Sequence, residues 1–323
     1  MDSDNTTDKE LLKALSQLKD ASTRIYYDAD KDQADQQSYY SEFLEKQANR
    51  SLSFEILTTD KKKIKVTIEE EAMVSSVAGV SFSTLSKLVR RTHEKHLQYK
   101  PSRYVYPWVD LHPDGKIHSI YSGQIFDAEE FIREDFNISR ERATRFRELM
   151  TTDRAISSER MEAEFDSFEA ALPYNCEHIV PQSWFNKRQP MRGDLHHLFG
   201  CESRCNSFRS NIPYFDFVDY ERAIRDSCGK REENKFEPES GKGTAARAVL
   251  YFLLRYPGEI NSTSREFEAE RLPVLLKWHE EYTVDEYEQH RNMAVYEMQG
   301  NRNPFIDFPE WAQLIEFTEG LGE

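Results

Sequence analysis

The sequence predicts an α+β fold, a mainly helical single domain with small antiparallel strands. Three observations lead to it. Apolar residues recur at helical spacing through most of the chain, and two stretches alternate apolar and polar residues about a turn, in the manner of hairpins. No internal repeat, long linker or low-complexity tract divides the 323 residues, a length that allows one large core.

The elements follow in order. Leu11, Leu12, Leu15 and Leu18 lie at helical spacing after the candidate cap Thr7, so a helix is expected from about Lys9 to Ile25. "SLSFEILTTDKKKIKVTIEEE" alternates on both sides of a charged turn and reads as a hairpin. A helix from about Phe82 to Leu97 comes next, and "RYVYPWVDLHPDGKIHSIYSG" reads as two short strand-like runs around the "HPDGK" turn. From Ala128 to Ala171 the pattern is helical and charged, with Phe131, Phe136, Phe146, Met150, Phe165 and Phe168 as core contacts. "GKGTAARAVLYFLLRYP" is an apolar helix ended by Pro257, and "SREFEAERLPVLLKWHEEY" a helix that contains or restarts at Pro273. "TVDEYEQHRNMAVYEMQGN" opens with a capping-box pattern, Thr283 with Glu286, and stops at Gly300. Residues 1–100 are expected to form a helical and hairpin segment packed on the main body, 101–323.

The formal charge of -15 argues against a surface-wide affinity for nucleic acid, because counterion release needs local cations opposite phosphates. It leaves room for a local basic patch. The clearest basic run is "KLVRRTHEKHLQYKPSR", Lys87 to Arg103, which reads either as a surface facing nucleic acid or as a solvated helix face. No run of about 18 apolar residues appears, so no transmembrane helix and no membrane partner is expected. The start of the sequence lacks the basic and apolar regions of a secretion signal, so as written the chain reads as cytoplasmic.

One stretch stands apart. "YNCEHIVPQSWFNKRQPMRGDLHHLFGCESRCNSFRSN", Tyr174 to Asn211, holds three of the nine histidines and three of the four cysteines. Its order suggests strand, irregular connection, strand and helix. If Glu202 to Ser210 is helical, Asn206 and Arg209 share one face, and Glu177, His178, Asn206 and Arg209 can converge. Their identities suit phosphodiester hydrolysis, which requires a deprotonated water, charge stabilisation on phosphoryl oxygens and help for the leaving sugar oxygen. An imidazole suits the first task, Glu and Asn oxygens suit a hard Mg2+ ion, and a guanidinium clamps a phosphate. Adjacent strand residues point to opposite faces, so Glu177 and His178 share a site only if the strand ends or bends there. A structural site and a polar surface loop are the competing readings.

"YNCEHIVPQSW", "MRGDLHHLF" and "CNSFRSN" resemble the active-site segments of the bacterial endonuclease I family, non-specific nucleases of the beta-beta-alpha metal, or His-Me finger, superfamily. The segments "YVYPWVDLHPDGKIHSIYSG", "GKGTAARAVLYFLLRYP" and "QGNRNPFIDFPEWAQLI" extend the resemblance over roughly Tyr104 to Ile315. It implies a finger at about 174–211 within a nuclease domain. It also implies His178 as general base, Glu177 and Asn206 as Mg2+ ligands, with Mn2+ or Ca2+ as alternative occupants, and Arg209 as a holder of site geometry or phosphate. A further phosphate-binding arginine falls on Arg188 or Arg192. The implied reaction is metal-dependent endonucleolytic cleavage of DNA, and also of RNA, to 5'-phosphate ends, in a secreted or periplasmic setting if a signal has been removed.

The neighbours have plainer readings. Asp194 is expected to cap, to orient or to approach the metal, at least one of His196 and His197 to be scaffold, and Asn211 to organise backbone. Trp184, Phe199 and Phe208 are expected in the core. "QGNRNPFIDFPEW" reads as a fixed turn packed against the body. Cys176, Cys201, Cys205 and Cys228 suit a structural Zn2+ site, two disulfides, or free or mixed thiols. The alternatives to an enzyme are a catalytically inactive nucleic-acid-binding protein and a structural zinc protein.

Overall fold

The computed structural model describes residues 2–48, 51–57, 63–69, 80–152, 174–218, 223–261 and 271–322. These form a mainly helical α+β fold in which small, mostly antiparallel sheets pack against helices. Among the described residues no helix is long and apolar enough to cross a membrane.

Helix α1 (Asp2–Ser22) begins earlier than its leucine pattern suggests. Ala14 and Ala21 are buried, and Leu11, Leu15 and Leu18 pack against the core, while Leu12 points to solvent. Helix α2 (Ala29–Ala48) has no counterpart in the apolar periodicity, because polar contacts fasten it. Asp32 meets Arg302 at 2.8 Å with both side chains buried, and the Tyr40 hydroxyl donates to Asp307 at 2.9 Å. Strands β1 (Ser51–Leu57) and β2 (Lys63–Glu69) form the expected hairpin, paired from Ser51↔Glu69 to Leu57↔Lys63.

Helix α3 (Phe82–Thr92) starts at a Ser81–Thr84 capping box and ends five residues short of the expectation. The first strand-like run is instead helical, as α4 (Pro101–Tyr104) and a π-helical turn at Val105–Val109. All five residues of that turn are buried, and this continuous apolar run carries no alternation to hold it in a sheet. Short strands β3 (Ile117–His118) and β4 (Ile125–Phe126) then pair, and α5 (Ala128–Thr152) lies against α1. Phe131 is buried on α5 and Phe136 packs beside it, whereas Phe165 and Phe168 lie outside the described residues.

The strand pair β5 (Tyr174–His178) and β6 (Leu198–Glu202), closed by α6 (Ser203–Arg209), realises the expected strand, connection, strand and helix. A three-stranded antiparallel sheet follows, β7 (Ile224–Asp226), β8 (Gly229–Glu232) and β9 (Lys235–Pro238). The central helix α7 (Lys242–Arg255) is buried nearly all round, as its apolar sequence demands. Strand β10 (Ile260–Asn261) pairs parallel with the terminal β11 (Leu321–Gly322). Helix α8 (Leu272–Glu281) places Pro273 in its first turn, the restart that the sequence allowed. Helix α9 (Glu286–Gln299) is capped by Asp285, whose side chain accepts from the Glu288 N–H, and not by Thr283. Its other end is Gly300 at φ 91°, a left-handed position that suits glycine.

"QGNRNPFID" is the fixed turn expected of it, and its polar side chains are buried and paired. Arg302 forks onto Asp307 at 2.7 Å through both Nε and Nη2 and also holds Asp32. Removing one partner of a buried ion pair leaves uncompensated charge. Arg302→Ala is therefore expected to lower the free energy of unfolding by about 3–5 kcal/mol, read by urea denaturation. Arg133→Ala, which breaks only an exposed pair with Glu129, should leave the midpoint unchanged.

Candidate active site

The hairpin of β5 and β6 is in register from Tyr174↔Glu202 to His178↔Leu198. Two buried carboxylates hold the connection and the return strand. Asp194 caps the turn Leu195–His197 through the His196 N–H and accepts from Gln299 Nε2 at 2.9 Å. Its other oxygen accepts from the hydroxyls of Tyr251, at 2.9 Å, and Tyr256, at 2.8 Å. Burial alone would raise its pKa, yet the neighbouring His93, His196 and His197 and the Gln299 bond hold it well below the usual carboxylate range. Asp110 accepts from the Gly200 N–H on β6 at 2.7 Å and from the Tyr287 hydroxyl at 2.6 Å, and it pairs with Arg291. A Cβ at position 200 would lie 2.5 Å from Ile117 and 3.1 Å from the Asp110 carboxylate, so only glycine lets these groups approach.

Glu177 is buried and accepts two side-chain hydrogen bonds, both at Oε1: from the Tyr121 hydroxyl at 2.6 Å and from Arg209 Nη1 at 2.9 Å. Oε2 has no side-chain partner among the described residues. Burial lifts the Glu177 carboxyl above its usual range against the pull of Arg209 and the Tyr121 bond. The Tyr121 and Tyr214 hydroxyls are 2.8 Å apart, and the Arg209 guanidinium lies 5.1 Å from the Tyr214 ring centre. Arg209 also donates to the backbone carbonyls of His178, at 3.3 Å, and Ile179, at 2.8 Å. It fixes the end of β5, and its guanidinium is buried rather than presented to solvent.

β5 ends at His178, and the two side chains leave it into different surroundings, as strand parity requires. The imidazole packs against Tyr99, with ring centres 4.9 Å apart, and edge-on to His197 at 5.4 Å. Its Nε2 sits 3.0 Å from the Arg192 carbonyl. A carbonyl only accepts, so Nε2 carries the proton and Nδ1 is left as the basic nitrogen. Burial, then the nearby His197, Arg192 and Arg209, hold the ring neutral, far below its ordinary pKa.

The remaining candidates separate. Asn206 is half-buried one turn before Arg209 on α6, and its side chain makes no hydrogen bond among the described residues. Arg188 is exposed and paired with Glu259. Arg192 lies over Tyr99, 5.3 Å from the ring centre, with no carboxylate partner among the described residues and with its Nε buried and unpaired. His196 and His197 are both scaffold, bonded to the carbonyls of Asn301, at 3.2 Å, and Met191, at 2.7 Å. Trp184 and Phe199 are buried in the core and Phe208 packs on it. Asn211 is exposed.

The four cysteines do not assemble as zinc ligands. Cys205 on α6 and Cys228 in the β7–β8 turn form a disulfide, and Cys176 and Cys201 are free and buried. Cys176 pairs across the hairpin with Gly200, while Cys201 pairs with Asn175. The two free thiols therefore face opposite sides of the sheet, in separate parts of the core, so no second disulfide forms either. Among the described residues no group of three or more His, Cys, Asp or Glu is arranged to hold a metal. A site of one carboxylate and one amide, Glu177 and Asn206, suits a hard cation that retains most of its waters, and the Oε2 of Glu177 is the oxygen without a side-chain donor.

Sequence spacing gave no sign of Tyr121 and Tyr214. Tyr121 is 56 positions from Glu177, and its only signal was an aromatic in the polar "SIYSG".

A two-stranded hairpin closed by a short helix, with a buried Glu-His pair at the end of its first strand, is a ββα finger arrangement. The chain belongs to the Endonuclease I family, whose profile matches residues 82–310. It is 35% identical over 157 residues to an extracellular ribonuclease of Bacillus amyloliquefaciens, covering 44% of this chain and 53% of that protein. An extracellular ribonuclease of Bacillus subtilis (strain 168) is 33% identical over 157 residues, 44% of this chain and 54% of the relative. A periplasmic deoxyribonuclease of Aeromonas hydrophila is 32% identical over 132 residues, 38% and 49% of the two chains. The chain thus spans about half the length of the curated relatives it matches.

The buried histidines predict a pH response. Burial pushes His196 down to about 3, despite Asp194 beside it. The unfolded imidazole protonates near about 6.5. Between these values the unfolded chain holds the extra proton, so stability falls as pH falls. His196→Gln removes one such site. The slope of unfolding free energy against pH, measured by urea denaturation between about pH 6 and about pH 4, should become shallower by up to about 1.4 kcal/mol per pH unit.

Proposed function

We propose that the protein is a divalent-metal-dependent, largely sequence-non-specific endonuclease that hydrolyses DNA, with RNA as a second substrate, to 5'-phosphate ends. One observation carries the reading: at the strand end that Arg209 locks, a buried carboxylate is followed in sequence by a neutral imidazole whose tautomer the Arg192 carbonyl sets, the two side chains leaving the strand on opposite faces. The family and the relatives' names support a nuclease, and both deoxyribonucleases and ribonucleases occur among them.

In this reading His178 Nδ1 accepts a proton from the attacking water. Its burial keeps it unprotonated at neutral pH, so the base is ready before substrate arrives. Arg192 is favoured over Arg188 for the phosphate, because it stands beside His178 without a carboxylate partner. Arg209 positions Glu177 and the β5 end. Glu177 and Asn206 would hold Mg2+, which supplies positive charge to the phosphoryl oxygens and the leaving oxygen. The Cys205–Cys228 bond pins the helix that bears Asn206, and its presence supports an oxidising compartment.

Incubation with supercoiled plasmid and with RNA, in Mg2+ and in chelator, tests the proposal. The wild-type chain should nick plasmid only with metal, and His178→Ala should lower the rate by about 10²–10⁴ with circular dichroism confirming the fold. Absent cleavage would favour the inactive, binding-only reading, metal-independent cleavage would overturn the metal requirement, and full activity in His178→Ala would remove that residue as base.

A further inference from the structure

A cleft of about 430 Å3, whose lining does not include Glu177, opens between α1 and α5. Helix α1 lies outside the matched family region, residues 82–310, so this wall belongs to the chain's own N-terminal segment. The helix is built into the body: Ala14 and Ala21 are buried, and Asp8 pairs with Arg140 of α5 at 2.9 Å.

The cleft is cationic in a protein of formal charge -15. Five lining side chains are basic and two, Glu10 and Asp135, are acidic. One of those acids already accepts a hydrogen bond from the Ser102 N–H. Lys13 of α1, with Lys100 and Arg103 from the basic run before α5, line the cleft exposed and without carboxylate partners among the described residues. Such cations repel one another, and a polyanion relieves that repulsion.

The cleft also reaches the candidate active site. Tyr99 lines it, and the same ring lies 4.9 Å from His178 and 5.3 Å from the Arg192 guanidinium. A strand passing the imidazole would therefore meet Tyr99 and then Lys100, Arg103 and Lys13. The volume suits a nucleotide-sized unit and not a duplex, whose major groove alone is about 12 Å wide. Tyr99 and the half-buried Phe136 on the walls provide aromatic surface for a base.

We propose that this cleft is an extension subsite for a single-stranded nucleic-acid segment flanking the scissile bond, with Lys13, Lys100 and Arg103 contacting its phosphates. The proposal rests on the nuclease reading, and it gives α1 a binding role.

The test is equilibrium binding, in chelator, of long fluorescent oligothymidylate and of thymidine trinucleotide, over a range of salt concentrations. Wild type is compared with the triple variant Lys13→Ala, Lys100→Ala and Arg103→Ala, all exposed positions, with circular dichroism confirming the fold. Each phosphate contact to a single strand contributes about 0.7 to the slope of log affinity against log salt. The variant should lose about 2 from that slope for the long strand. It should also lose most of the wild type's preference for the long strand over the trinucleotide. An unchanged slope, or a preference for length that survives, would overturn the subsite. If wild type nicks plasmid with metal while the variant's slope is unchanged, the subsite fails and the nuclease reading stands. If wild type neither binds the long strand nor nicks plasmid, both fail.

Discussion

The candidate site depends on one buried guanidinium. Arg209 reaches from α6 to the Glu177 carboxylate and to the carbonyls of His178 and Ile179, so helix and strand end are held by the same fork. A buried arginine is stable only if its charge is answered, and Glu177 answers it at 2.9 Å while Tyr214 covers the guanidinium face. The pairing still leaves the carboxylate one oxygen without a side-chain donor. Charge balance therefore engages only one oxygen of Glu177, at Oε1.

Around that lock the finger is almost wholly a guest of the helices. Its own hairpin is five residues a side, too small to bury its polar connection unaided. Asp194 and Asp110 satisfy the backbone and side-chain groups of the connection and of β6, and they are in turn bonded by residues from α7 and α9. The turn after Gly300 contributes through Asn301, which donates to Tyr251 at 2.5 Å. The geometry of the candidate site is therefore built from residues far apart in sequence, and its rigidity comes from buried hydrogen bonds to carboxylates.

Much of this was legible in the sequence where local patterns carry the information. The apolar α7, the Gly300 stop and the order of the finger follow from periodicity, turn chemistry and the Tyr174–Asn211 crowding. Helix α2 escaped because its anchors are polar: Asp32, Tyr39 and Tyr40 do not make an apolar stripe. Val105–Val109 is helical where strand is expected, because a short buried apolar run reads equally as strand or helix. Tyr121 and Tyr214 are set by tertiary approach, which spacing does not record. The cysteines required the hairpin register, since only the pairing of Cys176 with Gly200 shows that the two free thiols face apart.

We propose that Glu177, held by Arg209, is a divalent-cation ligand at the strand end that His178 closes. Titration of Mn2+ into the protein, followed by the electron paramagnetic resonance signal of the free ion, tests it without any turnover. The wild-type chain and His178→Ala should each take up one equivalent, and Glu177→Gln should leave the ion largely free. Equal uptake by Glu177→Gln would remove that carboxylate as a ligand of the ion.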